Sequence, residues 1–309
     1  MRLDDFDPND INVGDQRGQG GGFGFGGGGG GLGGGNILFG LLPLIGSRFG
    51  CGGIVVVLVL LAVFGGGLGG IGGMFTGGAP VSRSATSVEG AQGVTRACTV
   101  DQHSRAACNA FESAQRTWTQ LFAQQGERFN KPSLQFYSRS GQSGCGAAQS
   151  AMGPFYCPTD QGIYLDTSFF DELQSRFGAS GDFAQDYVIA HEFGHHIQNL
   201  LGTSDKVAQV QRSSGETAGN AASVRLELQA DCYAGVWAAQ NRDRLEPGDV
   251  QEGLTAAHAI GDDTLQQESQ GRVVPDSFTH GTSAQRMHWL KVGLDSGDPA
   301  QCDTFSGQP

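Results

Sequence analysis

The chain has 309 residues, enough for one large domain or two small ones. Its 31 acidic residues outweigh 19 Lys and Arg, giving a formal charge of −12 and a pI near 4.9. That balance argues against a nucleic-acid partner, which would favour a basic face.

Residues 1–17 are polar and acidic, and residues 18–35 are almost pure glycine, broken only by Gln19, Phe23, Phe25 and Leu32. Such a run buries no core, so residues 1–48 are expected to form a disordered acidic and Gly-rich tail. From Phe49 to Ser82 no Asp, Glu, Lys or Arg occurs, and Ile54–Phe64 reads IVVVLVLLAVF. The dense run alone falls short of the roughly 20 residues a bilayer requires, whereas Gly52 to Ile71 suffices. Residues 49–75 are therefore expected to be a single transmembrane helix. The segment starts too far from Met1, and lacks a basic start, for an ordinary signal peptide. Arg48 abuts its N-terminal side, which places the N-terminus in the cytoplasm by the positive-inside rule. Residues 76–94 read as a linker and 95–309 as an extracytoplasmic folded domain.

Six of the seven cysteines, Cys98, Cys108, Cys145, Cys157, Cys232 and Cys302, lie in that domain. An even number suits a disulfide framework in an oxidising compartment, and no Cys-x-x-Cys pair suggests a cysteine metal site. Cys98 and Cys108 flank the start of a helix expected to run to Gln125. Cys145 and Cys157 are placed to tie a glycine-rich loop to a strand, and Cys302 is left for Cys232 by elimination. Strand signals follow at Ser133–Ser138, Gly153–Cys157 and Gly162–Asp166. The last two are separated by Pro158-Thr159-Asp160-Gln161, which reads as a tight turn. A short helix is expected over 167–177.

Ala190-His191-Glu192-Phe193-Gly194-His195-His196 contains His-Glu-x-x-His. Positions i and i+4 share one helix face, so His191 and His195 are placed to bind one Zn2+ from a single rigid element. Glu192 is the expected general base, taking the proton of the water that attacks a carbonyl. Phe183, Tyr187, Val188, Ile189, Phe193, Ile197, Leu200 and Leu201 give the helical apolar spacing. Asp182 reads as its N-cap and Gly202 as its stop. Gly194 is costly inside a helix, so a packing or access reason is expected. His196 departs from the ligand face and is assigned to the surface or to contacts behind the ligands.

A second long helix, about 218–240, holds Glu227-Leu228-Gln229-Ala230-Asp231. A carboxylate is the natural third ligand of a His2Glu site that keeps its fourth position open. Glu227 is assigned that role, with Asp231 accepting a hydrogen bond from a ligand histidine; Glu216 and Asp205 compete with Glu227. Two such acids on a helix are otherwise usually a solvated face. Residues 247–268 read as one helix after Pro247, with His258 packing among alanines. Ser277–Arg286 reads as a loop entering a last helix. His103 and His288 receive no role.

The pieces GPFYCPTDQGIYLD, HEFGHHIQNLLG, RLELQADCYAGVWA and SFTHGTSAQRMHW resemble the bacterial putative neutral zinc metallopeptidase family over roughly residues 95–305. The Glu-x-x-x-Asp motif is similar to that of gluzincins. The resemblance implies an α+β, zincin-like domain with a small sheet and several helices, His191, His195 and Glu227 as ligands of Zn2+, and Glu192 as base. No histidine follows His195 at metzincin spacing, which agrees with a Glu ligand. The expected function is a membrane-anchored zinc endopeptidase acting on peptide or protein substrates, with an extended substrate added to the sheet edge near 153–166. For the oxyanion donor His280 comes first, then Arg286, then Tyr187 or Tyr233. The competing class is a non-catalytic, zinc-stabilised binding module, which would need a fourth protein ligand. The sequence leaves the oligomeric state open.

Overall fold

The computed structural model describes residues 1–18 and 90–307. The domain is α+β. Its central helix is α4, Asp182–Leu200, most of whose residues are buried. Phe183, Tyr187, Ile189, Phe193 and Ile197 are all enclosed, as their helical spacing predicts. On one side lies α2, Gln102–Gln124, started by the Asp101 carboxylate accepting from Ser104 N. Phe111 of α2 meets Phe193 edge to face at 5.5 Å. On the other side lies α6, Glu216–Gln240. Here the expected reason for Gly194 is found: a Cβ there would stand 3.0 Å from the Ala230 backbone.

The sheet has four strands in the order β1 (Val13–Asp15), β2 (Ser133–Phe136), β6 (Gly162–Leu165), β5 (Phe155–Cys157). β2 pairs in parallel with β1 and with β6, and the two central strands are buried at every position. β5 runs antiparallel to β6 through the anticipated turn and forms one edge. The loop expected between β2 and β5 contains a separate hairpin of β3 (Ser140–Ser143) and β4 (Gly146–Gln149). The short helix α3, Ser168–Phe177, follows β6 as expected.

All three anticipated disulfides are present: Cys98–Cys108, Cys145–Cys157 and Cys232–Cys302. The helix expected over Cys98–Gln125 is α2, which starts at Gln102 because Asp101 caps it there, and a further helix, α1 (Gly90–Cys98), precedes it. Helix α5 spans Thr203–Ser213. The helix expected over 247–268 is also broken, into α7 (Asp249–Ala259) and α8 (Asp262–Gln270). At the break Gly261 lies against Ser283, where a Cβ would fall 2.4 Å from the Ser283 nitrogen. His258, expected to pack, is exposed.

The last helix, α9, spans Ser283–Ser296 and opens on a capping box of Thr282 with Gln285. It crosses α6 at two glycines. A Cβ on Gly293 would lie 1.9 Å from the Cys232 carbonyl, and one on Gly235 would lie 2.1 Å from the Leu290 carbonyl. The two backbones touch, and only glycine fits at either position.

The expectations for the N-terminal quarter are corrected. Residues 1–18 are not a disordered tail but part of the domain. Leu134 N donates to Asn12 O at 2.9 Å and Gln16 N to Phe136 O at 2.8 Å. Arg17 covers the Phe136 ring at 4.4 Å and donates to Asp15, Ser104 and the Ala97 carbonyl. The Met1 amino group lies 2.7 Å from Asp182 and 3.2 Å from Asp249. Asp182 is thus the first residue of α4 rather than its cap.

The transmembrane helix is likewise overturned. No helix among the described residues is long and apolar enough to cross a membrane, and residues 49–75 themselves lie outside the described residues, as do 19–48. A single crossing between residues 18 and 90 would also separate β1 from β2, which share one ladder. On the C-terminal side of that gap helix α1 already starts at Gly90, before the expected residue 95.

The glycine crossing yields a test. Gly293→Ala is expected to destabilise the protein by about 3 kcal/mol or more and Gly194→Ala by about 1–2 kcal/mol, both from forced overpacking. The shift of the urea midpoint at unchanged m-value measures each.

Candidate metal centre

Helices α4 and α6 face each other where His191 and His195 meet Glu227. His191 Nε2 lies 3.2 Å from Glu227 Oε2, and His195 Nε2 lies 3.4 Å from Glu227 Oε1. One ligand atom from each of the three falls within 4.8 Å of the others. The imidazoles are 4.8 Å apart and nearly perpendicular, as expected of two rings one helical turn apart aiming at one point. Two nitrogens and a carboxylate oxygen so disposed suit Zn2+ with one position left over. Among the described residues a second acidic group converges, Asp182, Asp249 and Glu252. It offers no nitrogen donor, and two of its members hold the Met1 amino group. Glu216 and Asp205, the competing carboxylates, are exposed and outside both groups.

The far nitrogens are both engaged. His191 Nδ1 lies 2.8 Å from Asp231 Oδ1, as anticipated for Asp231. That carboxylate is completely buried. Tyr187 donates its hydroxyl to Oδ1 at 2.6 Å, and Arg286 donates Nη2 to Oδ1 at 2.9 Å and Nε to Oδ2 at 2.8 Å. Arg286, itself 2 % exposed, also donates Nη1 to the Ile260 carbonyl at the α7–α8 break. Burial alone would raise the Asp231 carboxyl, but the Arg286 and His191 charges pull it down to about 2. Burial lowers His191, yet Asp231 and Glu227 outweigh it and push the metal-free imidazole up to about 9. His195 Nδ1 lies 2.8 Å from Gln198 Oε1 on the next turn. The sequence reading missed Gln198, although its i+3 spacing from His195 placed it on the same helix face.

Glu192 is 7 % exposed, and burial raises its carboxyl above the ordinary range. His280 sits on the loop before α9 with its side chain half exposed. The Asp262 carboxylate accepts from the backbone nitrogens of Thr279, His280 and Gly281, and its Oδ1 lies 3.2 Å from His280 Nδ1. Desolvation lowers the His280 imidazole, but this hydrogen bond and the Glu227 charge leave it raised. Of the other oxyanion candidates, Arg286 and Tyr187 are committed to Asp231, and Tyr233 packs against Trp118.

His196 proves fully buried. Its Nε2 lies 2.7 Å from the Asn130 carbonyl and its Nδ1 3.0 Å from the hydroxyl of Tyr156, which also accepts from Asn199. Burial drives its pKa down to about 4. Neutral His196 therefore fastens edge strand β5 to the helix that carries His191 and His195.

A buried ion pair is weak in net terms, but breaking one side is costly. Arg286→Met is expected to destabilise the protein by about 3–5 kcal/mol, and adding Asp231→Asn to recover much of that loss. Chemical denaturation of the two single variants and the double variant measures both effects.

"Uncharacterized protein YpfJ" of Escherichia coli K12 is 59% identical over 191 residues, covering 61% of this chain and 67% of that protein. "Uncharacterized protein Rv2575" of Mycobacterium tuberculosis H37Rv is 47% identical over 191 residues, covering 58% of this chain and 64% of its own length. No solved structure matches. The model of the family described as "Putative neutral zinc metallopeptidase" matches residues 5–305, which include β1 as well as helices α4 and α6. The chain belongs to that family.

Proposed function

We propose that the protein is a zinc-dependent endopeptidase in which His191, His195 and Glu227 hold the metal and Glu192 is the general base. The observation that carries this reading is the convergence of the three ligand atoms, with Glu192 in the position directly after the first ligand. Among the described residues no fourth His, Cys, Asp or Glu joins that group. An open fourth position favours catalysis over the zinc-stabilised binding module, since closed structural sites take four protein ligands.

Zinc, when bound, acidifies a coordinated water and polarises the scissile carbonyl. The Glu192 carboxylate takes the proton of the attacking water and hands it to the leaving amine. Its burial supports this task, because a carboxyl raised above its ordinary value is a better base near neutrality. Strand β5 has β6 on one side only, so an extended peptide can add along its other edge. His196 and Tyr156 keep that edge in register with α4. His280, with its Nδ1 turned to Asp262, presents Nε2 as a donor to the oxyanion. The three disulfides support an oxidising compartment as the place of action.

The test uses the full-length chain loaded with zinc and an unfolded protein as substrate. Glu192→Gln is expected to keep its zinc and lose about 10²- to 10⁴-fold in cleavage rate. His280→Ala is expected to keep zinc and lose about 10²- to 10³-fold in kcat. Equal cleavage by parent and Glu192→Gln at equal zinc content would remove Glu192 from the mechanism. Stoichiometric zinc in a parent that cleaves no unfolded protein would transfer the reading to the binding module.

A further inference from the structure

Resting on the metal assignment above, we infer that Gln198 and Gln229 are positioning residues that fix the orientation and tautomer of His195 through a relay ending at the Cys232–Cys302 disulfide. The chain of contacts starts at the ligand. His195 Nδ1 lies 2.8 Å from Gln198 Oε1. Gln198 Nε2 has two hydrogens and two acceptors, the Leu226 carbonyl at 2.6 Å and Gln229 Oε1 at 3.2 Å. Gln229 Nε2 then donates to the Cys302 carbonyl at 2.9 Å. Cys302 is bonded to Cys232, two residues from Cys302 Thr304 donates its hydroxyl to the Arg225 carbonyl, and Arg225 donates back to the Thr304 carbonyl. The relay therefore closes on α6, the helix that supplies Glu227.

Every member is enclosed. Gln198 and Cys232 are fully buried, Cys302 is 1 % exposed and Gln229 is 8 % exposed. A buried amide must satisfy its groups internally, and here that requirement sets a direction. Turning the Gln198 amide over would put its oxygen against the Leu226 carbonyl and Gln229 Oε1. Turning Gln229 over would put its oxygen against the Cys302 carbonyl. With both amides locked, Gln198 offers His195 only an acceptor. Nδ1 must carry the hydrogen, and Nε2 keeps its lone pair toward Glu227 and the metal position.

The two ligand histidines are thus held differently. His191 leans on the Asp231 carboxylate, whose charge is balanced by Arg286. His195 leans on a neutral relay whose order depends on backbone carbonyls at Leu226 and Cys302. The amides are not mere core filling, because each hydrogen bond is needed to orient the next.

The test is zinc affinity of the full-length protein, measured by competition with a chromophoric chelator, alongside the melting curve of the metal-free form. Gln198→Leu is expected to weaken zinc binding about 10- to 100-fold, the usual cost of removing a partner behind a metal ligand. Gln229→Leu is expected to weaken it by a smaller factor. The double variant should bind zinc within about twofold of Gln198→Leu, because residues acting through one another are not additive. Parental affinity in folded Gln198→Leu, or an undiminished effect of Gln229→Leu in the Gln198→Leu background, would overturn the relay. If Gln198→Leu does not fold, parental affinity in Gln229→Leu alone overturns it and a weakened affinity supports it. A lowered melting point without a change in affinity would make the amides structural only and also overturns it. A parent that binds no zinc would bring down the metal assignment together with the relay, whereas zinc held equally by parent and variants brings down the relay alone.

Discussion

The pair of Arg286 and Asp231 is the constraint on which the rest of the domain depends. A guanidinium has no accessible neutral form, so burying it requires a carboxylate in fixed bidentate geometry. Asp231 is fixed by α6, and Arg286 can reach it only because α9 comes down onto α6 at Gly235 and Gly293. Arg286 then takes the Ile260 carbonyl at the end of α7. Three helices are committed by one side chain, and the carboxylate they immobilise shares its Oδ1 between Arg286 and His191. The helix crossing and the orientation of His191 are one problem with one solution.

What could be read from the sequence follows the range of each interaction. The convergence of His191 and His195 was legible because a helix converts a spacing of four into a shared face, and Glu227 with Asp231 repeats that logic. The disulfides were legible because each pair flanks one element or was left by elimination. The β5–β6 turn announced itself through Pro158 and Asp160. Local reading failed where a distant backbone decides the outcome. The helix over 247–268 has no internal breaker strong enough to predict its end, since Gly261 is selected by its approach to Ser283. Sequence left His196 between the surface and contacts behind the candidate ligands because its partners, Asn130 and Tyr156, come from two other segments. Gln198 was overlooked because glutamine carries no charge to advertise a role.

The N-terminal quarter failed for a sharper reason. Residues 1–17 have the composition of a tail, and their order comes from outside them. β1 is three residues long and takes its ladder from β2, while Arg17 after it is anchored on α1 and α2 and Met1 before it on α4 and α7. The apolar run at 54–64 was weighed by hydropathy alone, which says nothing about where its flanks are held. Once Val13 and Leu134 are register partners, the two ends of segment 19–89 are fixed in the same folded unit.

That pairing also sets an order of events during synthesis. β1 leaves the ribosome before its partner at 133–136, which is made more than a hundred residues later, on the order of ten seconds at ordinary elongation rates. Closing so long a loop costs entropy that only the finished sheet repays. β2 and β6 can meet as soon as residue 165 is free, whereas β1 must return across everything made in between. Residues translated early are thus placed to dock late, and until they do the outer edge of β2 stays unpaired.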